Sequence, residues 1–486
     1  MSDETGEWLK SSDSKEYFEL LKFPTVGARQ ENLRDCVQCA TWLKKWLKGI
    51  GASAELLVPG AGCLVPGAGC QVPVVFAEVK GEEGAPTVLV YGHYDVQPPD
   101  PLDEWLTPPF EPTVKDDGRV YARGAQDDKG QSFAFLCGLR DYLSPVLSQS
   151  QPSQPSRLSP RLNVKILLDG QEESGSVTLF KLLEDAAFRK RLVADVMLVC
   201  DTSAAAGLRP AIVAGLRGVN HFTVTLTAAN RDLHSGEYGG IAPNAAQGMA
   251  ELLASLHNPD GSIAVSGFRD GIEPPSAEEL RVAEEAMRAS AKGFAEASDP
   301  VEAMYAKDIG TEPCGGQMGK TVVQRNAFEP TIEVNGIHSG YGGPGSKTVI
   351  PCVAVAKIST RLVPGQSPRR SFEAIHRHLK DRCPKGMRVE VSELTGDAAG
   401  FRLPLNSPLF ILAEDVLREM DERGAVFMWD GASIPVVSAL RQASGAAPLL
   451  VGWGQAEDRI HSPNESFSVV QFEKAREWAK RILSAF

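Results

Sequence analysis

Strand-like apolar runs alternate with helix-period segments through most of the N-terminal half, and this order constrains the fold more than any other feature. Runs at 87–92, 163–168 and 195–200 are separated by helix-like stretches at 131–143 and after Ser176. Alternation of this kind builds an α/β domain with a mainly parallel sheet covered by helices. Ligands of such sheets bind just beyond the carboxyl ends of the strands. This chain concentrates imidazoles and carboxylates there. His93 and Asp95 close the first run, and Asp127 lies in Arg123-Gly124-Ala125-Gln126-Asp127-Asp128-Lys129-Gly130. Glu172 and Glu173 follow the second run, Asp201 the third, and His461 comes after a further apolar run at 447–452. Mixed carboxylates and imidazoles are what a hydrolytic divalent-metal site requires.

After Gly215 the pattern changes. Strands at 219–227, 331–334, 353–362 and 387–394, with helices at 244–257 and 371–382, describe an antiparallel α/β unit. Ligand candidates resume beyond it at His461, so the unit reads as an insertion. The expected organisation is a discontinuous catalytic domain, 1–215 and 395–486, interrupted by an inserted domain at 216–394. A chain of 486 residues also exceeds what one hydrophobic core usually serves. The stretch 273–317 is helix-rich, then Gly- and Pro-containing, and stays unplaced.

A formal net charge of -12 argues against a nucleic-acid or anionic-membrane partner. The acidic, polar start MSDETGEWLKSSDSKEY is unlike a secretory signal or transit peptide, and no run approaches the ~18 apolar residues of a membrane span. A cytoplasmic protein is expected. The 9 cysteines are scattered, which suits a reducing compartment. Cys36 and Cys39 share a helical segment with Leu33, Ala40, Leu43 and Leu47, and no second pair follows at zinc-ribbon spacing, so they read as packing thiols. Two stretches stand apart: a tandem Val-Pro-Gly-Ala-Gly-Cys repeat at 58–72, expected as a surface loop, and a Ser/Gln/Pro-rich insertion at 148–159 that cannot bury a core.

Singly, these motifs are weak, since a lone His-x-Asp or Glu-Glu pair is usually a solvated loop. In combination, His93-x-Asp95, Gly124-x-x-Asp127-Asp128-Lys129-Gly130, Glu172-Glu173-Ser174-Gly175-Ser176, Asp201 and His461-Ser462-x-Asn464-Glu465 resemble the M20 family of metallopeptidases, its dipeptidase branch above all. The likeness continues through Leu216-Arg217-Gly218, Asp232-Leu233-His234-Ser235-Gly236, Lys347-Thr348-Val349-Ile350-Pro351, Arg361-Leu362-Val363-Pro364 and Ser433-Ile434-Pro435, in the family's order. The resemblance implies two divalent ions per chain, zinc or manganese. Asp127 would bridge them, His93 and Asp201 would hold one, and Glu173 and His461 the other. It also implies that Glu172 is general base for a water held between the ions, and that Asp95 orients His93 by accepting its other N–H. The family's bridging aspartate precedes a cis peptide, expected here at Asp127-Asp128. Asp169 departs from the family, which commonly has Glu there, without removing a ligand.

His234 resembles a histidine that reaches across a dimer to stabilise the tetrahedral oxyanion. Thr348 and Arg361 from the inserted domain, with Ser433 from the catalytic domain, resemble residues that bind the substrate backbone and its terminal carboxylate. An arginine matches both oxygens of that group. His221, His257, His338, His376 and His378 lack such context and read as structural or solvent-exposed. The implied activity is hydrolysis of dipeptides with a free C-terminal carboxylate, by a homodimer paired through the inserted domain. A deacylase of N-acyl amino acids with the same fold is the alternative. Asp rather than Glu at 201 favours the dipeptidase branch. A scaffold that has lost catalysis conflicts with five intact ligands and an intact Glu172.

Overall fold

In the computed structural model the described residues are 3–60, 71–147, 160–392 and 394–486. Residues 61–70 of the tandem repeat and all of the 148–159 insertion lie outside them. The chain divides into two compact units. The first comprises Met1–Ala214, Pro404–Phe427 and Ala439–Phe486; the second comprises Gly215–Leu403 and Met428–Ser438.

In the first unit, the sheet runs in the spatial order Ser53–Leu57, Val74–Val79, Asn163–Asp169, Thr87–His93, Val196–Val199, Ala447–Leu450 and Ala211–Leu216. The four strands from Asn163–Asp169 to Ala447–Leu450 are mutually parallel, and the flanking strands join antiparallel. The parallel part carries the continuous apolar sequence expected of strands covered on both faces: in Thr87–His93 every residue after Thr87 is buried. Helices Lys129–Leu147 and Val469–Ala485 pack against each other. A Cβ at Gly138 would run into Arg476 and Ala479, so glycine sets how closely these helices approach. Likewise, a Cβ at Gly92 would collide with the Ser132 hydroxyl on the first turn of Lys129–Leu147. That contact brings the helix start against the strand end carrying His93. Helix Leu33–Gly49 buries Cys36 and Cys39, both free, and burial pushes the Cys39 thiol up to about 12.

In the second unit, the sheet order is Thr331–Ser339, Val353–Leu362, Gly218–Thr227 and Arg388–Val391, antiparallel throughout. Gly218–Thr227 alternates buried and more exposed residues over most of its length, as expected when a single face is covered. Helices Ala245–Ala254 and Pro368–Asp381 supply Met249, Leu252, Phe372 and Ile375 to a core shared with Phe222, Val224 and Ile358. The unplaced stretch forms helices Ala277–Ser290 and Pro300–Ile309. Segments 395–403 and 428–438, expected in the catalytic domain, group with this unit instead. Their bonding explains why. Thr395–Ala398 pairs with Gly218–Thr227, Arg217 Nε donates to the Gly431 carbonyl at 2.7 Å, and Ser433 Oγ donates to the Gly218 carbonyl at 3.1 Å.

Candidate active site

The first unit gathers seven of the anticipated site residues around one carboxylate. His93 ends its strand, Asp127 lies in the loop before helix Lys129–Leu147, Glu172 and Glu173 begin a 3-10 turn, and Asp201 follows Val196–Val199. Asp127 Oδ1 lies 3.1 Å from His93 Nε2, and Asp127 Oδ2 lies 2.9 Å from His461 Nε2. Asp201 Oδ2 is 3.8 Å from His93 Nε2, and Glu173 Oε1 is 3.2 Å from His461 Nε2. Two ligand triads result, His93–Asp127–Asp201 and Asp127–Glu173–His461, each with its donor atoms within 4.8 Å of one another. Ligand atoms about 2.0–2.2 Å from a common ion sit roughly 3–3.5 Å apart, so these spacings suit a divalent cation in each triad. The peptide bond Asp127-Asp128 is cis.

The surrounding polar groups hold this arrangement. His93 Nδ1 donates to the main-chain carbonyl of Asp95 at 3.1 Å, with the Asp95 carboxylate farther away at 3.4 Å. That bond orients the ring so that Nε2 faces Asp127 and Asp201. The orienting acceptor expected of the Asp95 side chain is thus mainly its backbone. The carboxylate instead accepts the N–H of Glu172 at 3.0 Å and of Glu173 at 3.1 Å, positioning the turn that carries both glutamates. Two further residues support the ligands. Gln97 Nε2 donates to Glu173 Oε2 at 2.7 Å. Glu465, fully buried, accepts the N–H groups of Gly124, Gln126 and Asp127 at 2.8–3.0 Å and a 2.8 Å bond from Arg123 Nη1. Sequence reasoning gave neither of them a role. Glu465 could have been noticed as a charge inside a ligand motif, whereas Gln97 carries no sequence signal.

Burial and mutual repulsion raise several of the crowded carboxylates. Burial, reinforced by Asp127, pushes Asp201 up to about 7. Burial, opposed by His93 and reinforced by Asp201 and Glu173, pushes Glu172 up to about 8. Burial and Asp95 raise Asp169 to about 6. His461 rises to about 10 through its hydrogen bonds to Asp127 and Glu173. Burial opposes charge on His93, but its bonds to Asp127 and Asp95 carry it well above the usual range. Burial would raise Asp127 too, but hydrogen bonds from His461 and His93 hold it well below the ordinary carboxylate range. Protons on the histidines partly neutralise the cluster, and the mixed imidazole–carboxylate donor set fits divalent ions taking their place.

The remaining anticipated residues belong to the second unit and form two pairs. Leu233–His234 pairs antiparallel with Val349–Ile350, and His234 Nε2 lies 3.4 Å from Thr348 Oγ1, both residues exposed. His234 Nδ1 accepts the Gly236 N–H at 3.1 Å, which leaves Nε2–H as the donor of the neutral ring. Arg361 Nη1 donates to Ser433 Oγ at 2.8 Å, with both residues half-buried. Of the other histidines, His378 is buried and bonded to Ser255 Oγ at 3.0 Å, His376 is half-buried, and His221, His257 and His338 are exposed.

The chain is similar to proteins of known activity over most of its length. It is 29% identical over 463 residues to the Cys-Gly metallodipeptidase dug1 of Schizosaccharomyces pombe, covering 93% of this chain and 91% of that protein. It is 28% identical over 397 residues to the human Beta-Ala-His dipeptidase, covering 81% of this chain and 74% of that protein. Among solved structures, an M20 family metallo-carboxypeptidase from Sulfolobus solfataricus superposes with a TM-score of 0.79 at 26% identity, covering 97% of this chain and 98% of that one. Human carnosine dipeptidase 1 gives 0.72 at 25% identity, covering 99% and 97%. The sequence profile described as Peptidase family M20/M25/M40 matches residues 89–485, and the chain belongs to that family.

Proposed function

We propose that the chain is a metallodipeptidase that hydrolyses the peptide bond of dipeptides bearing a free C-terminal carboxylate. The observation that carries the reading is the pair of triads sharing Asp127, each supplying one imidazole and two carboxylates. In this reading His93 and Asp201 would hold one divalent ion and Glu173 and His461 the second, with Asp127 available to both. Zinc or manganese suits this mixed donor set. Bound there, the ions would polarise the scissile carbonyl and lower the pKa of water.

Glu172 is the general base. Its backbone is pinned through Asp95, and among the described residues it takes part in no ligand triad; nearby positive charge would hold it ionised, and its desolvation then favours taking up a proton. The same carboxyl then delivers that proton to the leaving amine. His234 donates its Nε2–H to the developing oxyanion. Thr348, Arg361 and Ser433 recognise the substrate backbone and its carboxylate, with Arg361 supplying the charge. The reading includes a homodimer paired through the second unit. Thr331–Ser339 ends the order of its sheet and exposes Val334 and Ile337, at 42% and 55%, which suits pairing with a second copy. The proposed location is cytoplasmic, in keeping with free thiols at every described cysteine.

The names of the Cys-Gly and Beta-Ala-His relatives favour dipeptides over N-acyl amino acids. The test is a hydrolysis screen on metal-stripped protein reconstituted with zinc or manganese. Its substrates are free dipeptides, N-acetyl and N-succinyl amino acids, and longer peptides with blocked N-termini. Preference for free dipeptides supports the proposal. Preference for N-acyl amino acids makes the chain a deacylase, and preference for blocked longer peptides makes it a carboxypeptidase.

A further inference from the structure

Glu173 is gripped at three points. Its N–H is held by the Asp95 carboxylate at 3.1 Å, its Oε2 receives the 2.7 Å bond from Gln97 Nε2, and its Oε1 faces His461 Nε2 at 3.2 Å. Asp95 and Gln97 belong to one short segment leaving the Thr87–His93 strand. That segment is itself fixed: Val96 is buried and its N–H donates to the Thr25 carbonyl at 3.0 Å. The half-buried Gln97 amide is therefore presented from a rigid support.

We propose that Gln97 is a positioning residue that confines Glu173 to one-oxygen ligation through Oε1, and thereby sets the affinity of the His461-side cation site. A carboxylate can offer a cation one oxygen or two, and an amide donor bonded to Oε2 disfavours the second option by competing for that oxygen. The bond also prevents the carboxylate from rotating away from His461. Among the described residues the Gln97 amide bonds to Glu173 and not to His93 or Asp201, so the effect falls on one of the two sites. The inference rests on the two-ion reading proposed above.

The test uses the full chain stripped with a chelator, then titrated with Mn2+ while free ion is counted by electron paramagnetic resonance. Gln97→Met keeps the volume and removes the donor; Gln97→Glu keeps the shape and replaces the donor with an acceptor. For each, thermal unfolding of the stripped protein reports whether the fold survives. The expected result is two binding steps in the wild type. In both variants one of the two ions, whichever is held on the His461 side, should lose about 10–100-fold in affinity, the usual cost of removing a supporting partner of a ligand. The other step should stay within about threefold, and unfolding midpoints should be unchanged. Excess Mn2+ should then restore kcat in Gln97→Met. Two wild-type steps left unaltered by either variant would overturn the proposal, and so would equal weakening of both steps. A wild type that binds a single ion overturns the two-ion reading, and this proposal with it.

Discussion

Loading the metal-free chain with two divalent ions at pH 7 should expel about three protons. His93 is raised well above the usual histidine range and His461 to about 10, so each ring carries a proton at neutrality that ligation must displace. Asp201, raised to about 7, and Glu172, raised to about 8, account for the rest, since both lose their hold on a proton when cations arrive beside them. Isothermal titration of the stripped protein in buffers of different ionisation enthalpy measures the count directly, as the slope of observed heat against buffer enthalpy. A release of fewer than about one proton per chain would refute the argument, because it would mean that the cluster is not proton-compensated in the absence of metal. The same shifts fix the pH dependence of the metal-free fold. The stability contributed by His93 and His461 is complete below their ordinary value of 6.5 and is lost as pH rises through their raised values. Asp201 and Glu172, raised from 3.8 and 4.5, favour the folded state while protonated and weaken it as pH rises toward 7 and 8. Asp127, lowered, acts the other way, but its effect falls on the acid side of 3.8. The stripped protein should therefore lose stability steadily from pH 5 to 9, and an unfolding midpoint that climbs over that window would contradict the assignment.

Glu172→Gln should lower kcat by about 100-fold or more while both ions are retained, and steady-state kinetics with metal analysis would show a near-normal rate if another group is the base. Glu465→Ala leaves the Arg123 guanidinium and three backbone N–H groups without their buried acceptor, which should cost about 3–5 kcal/mol in urea unfolding. A loss under about 1 kcal/mol would mean that water replaces the carboxylate. His234→Ala and Glu172→Gln chains, each inactive alone, should recover part of the activity when mixed into heterodimers. Verified heterodimers that stay inactive would show that His234 serves its own chain or has no catalytic part.

The ligand candidates were legible because a parallel sheet puts its functional groups at strand ends, and apolar runs can be found by eye. Their supports were not. The main-chain carbonyl of Asp95 orients His93, and no sequence pattern reports where a carbonyl points. Gln97 acts through one partly buried hydrogen bond and Glu465 through four buried ones, and bonds of this kind have no periodicity. The strand Ser53–Leu57 was missed because it is short and only partly buried, so it shows no clear alternation. The placement of 428–438 with the second unit is set by long-range bonds such as Ser433 to Gly218 and Arg361, invisible to any local reading.

The loop bearing Asp127 is tied to Glu465, 338 residues downstream, and His461 comes from the same distant segment. During synthesis His93, Asp127, Glu172, Glu173 and Asp201 all leave the ribosome before the second unit does. His461 and Glu465 follow only on the order of tens of seconds later, at about 5–20 residues per second. Through that interval a nascent chain can offer all three residues of the first triad, with Asp127 on a loop lacking its anchor, but only two of the second. In the proposed two-ion reading, capture of an ion on the His461 side would thus mark a point in time: translation has passed residue 465, and the returning segment has docked.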